Sequence, residues 1–242
     1  MELQNHSYGF KTFSQYTLVK YGVSTRKFGS MKNVETKELD REALTKFAAT
    51  IGITDPIVCT NQIHSGNVAL IENTNVLKIS DTDGLVTDKK HIPLALLTAD
   101  CLPILFFDPK KEAIGVAHAG YKGLLNHIIE NTISVLVSKF KSDPKDIIVG
   151  MGPSIETTCY EVGVELVEKF QEEFPSFEDI FIEKDQKYFL DLRGIARQSL
   201  LKEGILDEHI EIMDICTKDN EDFYSYRGGD REKRFVSVIS LV

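Results

Sequence analysis

The sequence predicts an α+β fold, a single domain over residues 1–242 with a mixed β-sheet and flanking helices. Two observations carry that prediction. Short runs rich in branched apolar residues crowd between Ile57 and His118 with hairpin-like spacing, while helical periodicity dominates from Gly123 onward. Strands that cluster early and helices that follow do not make a regular strand–helix alternation. With 42% hydrophobic residues the chain can bury a core, and no Pro/Gly/Ser-rich linker divides it.

The elements follow in order. Asp40 to Ile51 reads as a helix with Asp40 as N-cap, apolar positions at Leu44, Phe47 and Ala48, and Gly52 as the stop. The strands are IVCT from Ile57, VALIE from Val68, LVT from Leu85, IPLALLT from Ile92, PILFF from Pro103 and IGVAH from Ile114. Turn chemistry such as DTDG at Asp81 and DPKK at Asp108 separates them. The stretch from Ile92 to Phe107 is almost wholly apolar, which predicts burial on both faces. A helix is expected from Gly123 to about Phe140, with Leu124, Ile128, Thr132, Val135 and Leu136 on one face and His127, Asn131, Ser134 and Ser138 on the other. A strand is expected at IIVGM from Ile147, helices at Glu161 to Glu172 and Leu192 to Glu203, and strands at IEIMD from Ile210 and FVSVI from Phe235.

Composition excludes several classes. The net charge is −9 and no basic stripe is present to neutralise a nucleic-acid backbone, so a nucleic-acid partner is not expected. The apolar runs are too short or too interrupted to span a bilayer, and the first residues lack a basic-then-apolar leader pattern. A soluble cytoplasmic protein is the expectation. The four cysteines, at 59, 101, 159 and 216, form no CxxC pair, so neither a disulfide framework nor a zinc ribbon is indicated; Cys59, Cys159 and Cys216 read as buried and reduced.

The chemistry concentrates in three segments. NQIHSGNV from Asn61 places Gln62 and His64 on one side of a strand if it continues the extended pattern. LTADCLPIL from Leu97 interrupts an apolar strand with Asp100 and Cys101, and a buried carboxylate beside a thiol is costly unless both are engaged. GVAHAGYKG from Gly115 ends a strand at His118, follows with small residues that permit close approach, and presents Lys122 where a helix begins. Each segment also has an ordinary structural reading: a satisfied histidine, a kinked strand with an inert thiol, a glycine-containing turn. Together, two imidazoles and one thiolate make a three-ligand set for zinc with a fourth position open, the pattern of a catalytic rather than a closed structural site. His6, His91, His127 and His209 read as bland. A fourth stretch, CTKDNEDFYSYRGGDREKR from Cys216, carries Tyr224, Tyr226 and Arg227, which could stack on or clamp a planar anion, although its composition is that of a solvated loop.

In sum these segments resemble the YfiH/laccase-domain family, whose members have been described both as polyphenol oxidases and as purine nucleoside phosphorylases. The matching motifs run in order from STR at Ser24 through NQIH, TDGLVTD at Thr82, TADCLPI at Thr98, VAHAG at Val116, GPSI at Gly152, CYEVG at Cys159, DL at Asp191 and CT at Cys216 to FYSYR at Phe223. The resemblance implies an α+β fold akin to toxin deamidases of the CNF type, and zinc held by His64, Cys101 and His118. It implies phosphorolysis of adenosine, inosine, guanosine and methylthioadenosine, and hydrolytic deamination of adenosine, with purine nucleosides and phosphate as the partners. Copper has also been assigned to the family. Arg26, Gln62, Lys122 and Arg227 are the expected substrate-binding residues, and Asp100, Cys101 and His118 the expected catalytic ones. In zinc deaminases of the better-known type a glutamate shuttles protons; no Glu follows His64 or His118 at that spacing, which leaves Asp100 and Asp83 as candidates.

The chain departs from the family pattern at three places. Tyr121 and Lys122 stand after HAG, where an aromatic residue and Arg are usual; Gly228 replaces a second Arg; and the loop after Arg26 is shortened to KFGSMKNVE. Two other chemistries fit the same residues. A copper phenol oxidase would use His64, Cys101 and His118 for one copper, but six histidines in all leave too few for a further cluster. A metal-free cysteine hydrolase would use Cys101 as nucleophile and His118 or His64 as base.

Overall fold

Alternation along the early strands sends their side chains to two different cores, and this builds the architecture. The computed structural model describes residues 3, 4 and 7–242; His6, read as bland above, lies outside them. Seven strands form one mixed sheet in the order Leu3–Gln4, Ser7–Tyr8, Val19–Ser24, Phe235–Leu241, Leu94–Thr98, Val58–Thr60, Lys78–Ile79. Six form a second in the order Ile210–Ile212, Ile148–Met151, Leu102–Asp108, Ala113–Ala119, Gly84–Thr87, Val68–Leu70. Both mix parallel and antiparallel pairs. The strands expected from Ile57 to His118 all form, distributed between two sheets rather than one.

The sheets pack face to face. Leu94, Leu96, Phe235 and Ile239 of the first meet Leu105, Phe107, Ile114 and Val116 of the second in one core. The residues between them point outward: Ala95, Val236 and Val238 pack against Leu44, Phe47 and Ala48 of the Arg41–Thr50 helix. On the far side Ile104, Phe106 and Ala117 pack against the Ile128–Phe140 and Leu192–Lys202 helices. A helix layer thus covers the outer face of each sheet, and the apolar run from Ile92 to Phe107 is buried on both faces for that reason. Asp40 caps its helix as expected, its carboxylate accepting from the Ala43 N–H at 2.9 Å, a contact worth about 1 kcal/mol.

Four expectations are corrected, one being that Cys159 and Cys216, expected to be buried like Cys59, are half-buried. The helix expected from Gly123 to Phe140 is two, Tyr121–Leu125 and Ile128–Phe140, broken where His127 takes φ 56°. The break is held by Asn131, whose side-chain amide donates to the carbonyls of Asn126 and Gly66. The helix expected from Glu161 starts at Val164, because Glu161–Val162 pairs instead with Tyr188 and Phe189 in a small third sheet. Residues Gln62 and His64 are not on a strand: the chain is irregular there and His64 sits at φ 62°. Unforeseen were the Val19–Ser24 strand, which pairs on both sides, and the Phe181–Leu190 hairpin, whose turn residues Asp185 and Gln186 both have positive φ. Among the described residues no helix is long and apolar enough to cross a membrane.

Candidate metal centre and its cavity

Cys101 lies where the chain passes from one sheet to the other. Leu94–Thr98 belongs to the seven-stranded sheet and Leu102–Asp108 to the six-stranded one, so Ala99, Asp100 and Cys101 form the crossover. Asp100 adopts φ 87°, a conformation that Asp tolerates better than most residues. Its carboxylate accepts from the Thr217 hydroxyl and from the Arg227 backbone N–H, each at 2.7 Å, and its carbonyl accepts from the Ile155 N–H at 2.9 Å. The interruption of the apolar strand is thereby accounted for: each carboxylate oxygen of the buried Asp accepts one hydrogen bond, and Cys101 is aimed at the histidines.

His118 ends the Ala113–Ala119 strand and is buried, with 3% of its surface exposed. His64 reaches it from the irregular loop around Asn61 to Asn67. Asp83, fully buried, organises both. Its two oxygens accept from the backbone N–H groups of Ile63, His64 and Ser65 at 3.1, 2.9 and 2.7 Å, and from the Ser65 hydroxyl at 2.8 Å. Asp83 Oδ1 is also 2.8 Å from His118 Nδ1. A ring that gives its Nδ1 proton to a carboxylate leaves Nε2 free as a ligand, the outer-shell arrangement of metal-binding histidines. Burial works against the Asp83 charge, but the bonds from His118 and Ser65 outweigh it and hold the carboxyl well below its usual range.

The donor atoms of His64, Cys101 and His118 all lie within 4.8 Å of one another. Cys101 Sγ and His64 Nε2 are 3.8 Å apart, close to the roughly 3.6 Å that a tetrahedral zinc ion sets between a sulfur and a nitrogen ligand. Burial opposes ionisation of the Cys101 thiol, yet the two histidines bring it down to about 6; burial likewise opposes the His118 charge, yet Cys101 and Asp83 raise it to about 9. Gly120 makes this convergence possible, since a Cβ there would stand 2.8 Å from Cys101 Sγ and 3.2 Å from His64 Cδ2. The donor set therefore fits a borderline-soft divalent ion with one position open.

The three candidate ligands lie in the wall of a cavity of about 540 Å³. Tyr121, Tyr160 and Leu192 give the wall apolar surface, and the Arg227 guanidinium sits 4.8 Å over the Tyr160 ring. Five cationic side chains line it, Lys32, Lys37, Lys78, Arg227 and Arg234, against one lining carboxylate, Asp100; with Glu232 paired to Lys32 and Lys37 and Glu38 to Lys78, positive charge still exceeds negative around the cavity although the chain carries −9. Lys32, Lys37 and Arg234 escaped the sequence reading because the first sits in the shortened loop, the second just after it and the third in a charged run, none with a motif.

The expected substrate residues divide. Arg227 is in the wall. Gln62 is there too, but its amide is paired both ways with the Leu97 backbone, at 2.8 and 3.0 Å. Arg26 lies outside the wall: it forms an ion pair with Asp230, donates from Nε to the Phe223 carbonyl at 2.7 Å and stacks 4.6 Å over Tyr224. Lys122 is also outside it, exposed beside the Tyr121 ring at the start of a five-residue helix. His127 is bland as expected, 2.9 Å from Glu173 through Nε2.

Known proteins resemble this chain in sequence and in fold. The profile of the family described as "Multi-copper polyphenol oxidoreductase laccase" matches residues 15–242. A protein of Bacillus subtilis named "Purine nucleoside phosphorylase YlmD" is 31% identical over 93% of this chain and 87% of its own length. The "Purine nucleoside phosphorylase YfiH" of Escherichia coli is 37% identical over 61% of this chain and 59% of its own. The crystal structure of YlmD from Geobacillus stearothermophilus superposes with a TM-score of 0.88 at 25% identity, covering 99% of this chain and 98% of that one.

Proposed function

The chain belongs to the laccase-type polyphenol oxidoreductase family, and from its site we propose that it is a zinc-dependent purine nucleoside phosphorylase that also deaminates adenosine. One observation carries the reading: a His/Cys/His ligand set opens into a basic cavity of about 540 Å³, a volume within the range of small-molecule sites. The relatives named purine nucleoside phosphorylase support it. Adenosine, inosine, guanosine and methylthioadenosine are the proposed substrates, with phosphate as the second one. Bound at His64, Cys101 and His118, zinc would supply Lewis-acid polarisation of a substrate atom.

The chain's own groups do the rest. Tyr121 and Tyr160 line the cavity and would supply apolar contact to the purine. Arg227 and the lysines of the rim attract and orient phosphate, whose oxygen forms the new bond to the ribose C1′ as the bond from C1′ to the base nitrogen breaks. Asp100, the one carboxylate in the wall, accepts the proton in deamination. Asp83 keeps His118 in place and has no oxygen to spare.

The test combines metal analysis of freshly purified protein with product analysis after incubation with adenosine, with and without phosphate. Zinc near one equivalent at this site, phosphate-dependent adenine and phosphate-independent inosine are expected. Asp100→Asn should keep the metal and lose inosine formation; unchanged deamination would remove Asp100 from the reaction. A metal-free cysteine hydrolase is a second reading, favoured by the 3.8 Å approach of Cys101 to His64. It predicts activity that survives chelation and is lost on alkylation of Cys101. Copper oxidase chemistry finds less support, since among the described residues only one metal-competent group contains histidine.

A further inference from the structure

We propose a second metal site, formed by Cys159, Cys216 and Asp219, that takes a thiophilic divalent ion of the zinc class. Their donor atoms all lie within 4.8 Å of one another. Cys159 ends the short turn Thr157–Cys159, and Cys216 opens the next turn, in which the Asn220 N–H donates to the Cys216 carbonyl at 3.1 Å. Asp219 follows Cys216 by three residues on that turn, a chelating spacing, and the Cys159 thiol donates to Asp219 Oδ2 at 3.0 Å. Among the described residues no Lys, Arg or His forms an ion pair with Asp219, so the carboxylate faces two thiols without a cation.

The frame of the site is tied together by hydrogen bonds of the protein alone. Buried Arg193 donates from Nε to the Ser154 hydroxyl and from Nη2 to the Ser154 carbonyl, both at 3.0 Å, and also to the carbonyl of Ile215. Arg193 thereby clamps the residues before each turn. A hydrogen bond from the Thr217 N–H to the Ser154 carbonyl at 3.1 Å continues the clamp. Two thiolates and one carboxylate suit a borderline-soft ion, with water in the fourth position because Asp219 is exposed. Binding would release the two thiol protons and leave the site with one net negative charge.

The position gives the ion a role distinct from that of the first. Tyr160, next to Cys159, lines the cavity, and Thr217, next to Cys216, holds Asp100. An ion bridging the two turns would tie the wall bearing Tyr160 to the segment that positions Asp100 and Cys101.

Cadmium titration of reduced, metal-stripped protein, followed by the ultraviolet thiolate-to-metal absorption, separates the sites. The unchanged protein should take up two equivalents. Cys101→Ser should take up one, and so should the double variant Cys159→Ser with Cys216→Ser. Cadmium should also raise the melting temperature of Cys101→Ser, which shows that its uptake is by folded protein. Asp219→Asn, a surface change that keeps the shape, should weaken the second equivalent and leave the first. Two equivalents in the double variant, or none in Cys101→Ser, would overturn the proposal. So would a thiol count of two in place of four in freshly purified protein denatured with chelator, since that would make the pair a disulfide.

Discussion

Asp83 concentrates more of the centre in one side chain than any of the three candidate ligands does. It gathers three consecutive N–H groups of the His64 loop and the Nδ1 of His118 on one carboxylate. Asp83→Asn replaces one accepting oxygen with a donor, so metal affinity should fall by about 10–100-fold, as for other outer-shell partners. Competition titration with a chelator measures it, and unchanged affinity would refute the role. The pH dependence of binding follows from the ligands. With no ion bound, His118 holds its proton up to about 9 and Cys101 loses its own at about 6. Between those values an incoming ion must displace one proton from the pair, and below about 6 it must displace two. Affinity should therefore rise with pH to about 9, most steeply below 6, and level off above 9. An affinity that is flat between pH 6 and 9 would show that His118 is neutral there. Cys101 was visible in the sequence as a polar break in an apolar strand, whereas His64 was read onto a strand that does not form there. Gly120 was visible only as a small residue; its reason, a Cβ 2.8 Å from a ligand sulfur, is a through-space fact.

The broken helix after His118 shows what periodicity sees and what it misses. Of its predicted apolar face Leu124, Ile128, Thr132 and Leu136 are buried and Val135 is half-buried, while Ile129 and Ile133 join the buried side. The break at Asn126 and His127 does not disturb the 3.6-residue spacing enough to show. It nonetheless positions the centre, because Asn131 reaches from the second helix to the Gly66 carbonyl at 2.9 Å and holds the His64 loop. Asn131→Ala should cost about 1 kcal/mol of stability, speed hydrogen exchange at residues 63–65, and weaken the metal site while leaving the cores intact. Exchange unchanged in that loop would show that Asp83 alone holds it. The strand Val19–Ser24 was missed for the opposite reason: VKYGVS lacks clean alternation, and it is a strand because Ser7–Tyr8 and Phe235–Leu241 both pair with it.

The whole molecule is acidic, yet its cavity is basic, and net charge alone concealed this. Lys32 and Lys37 meet Glu232 at 3.6 and 3.1 Å across more than 190 residues of chain, so the rim is assembled from the two ends of the sequence. If the rim recruits phosphate, the KM for phosphate should rise with ionic strength while kcat changes little, because screening acts on the approach of the anion. Steady-state kinetics over a salt series would show this; a KM independent of salt would assign the lysines to solubility alone.

The sequence by itself determined the α+β class, the strands from Ile57 to His118, most of the faces of the main helices, and His64, Cys101 and His118 as the candidate ligand set. These are local properties: side-chain period, capping, and residue types whose burial is costly unless they are used. Tertiary structure decided the rest. It divided the strands between two packed sheets, withdrew Arg26 into an ion pair with Asp230, left Lys122 outside the cavity wall, and gave Asp83 the organising role. Each of these depends on which distant segment arrives beside a given residue, and a carboxylate 35 positions away from His118 leaves no periodic mark along the chain.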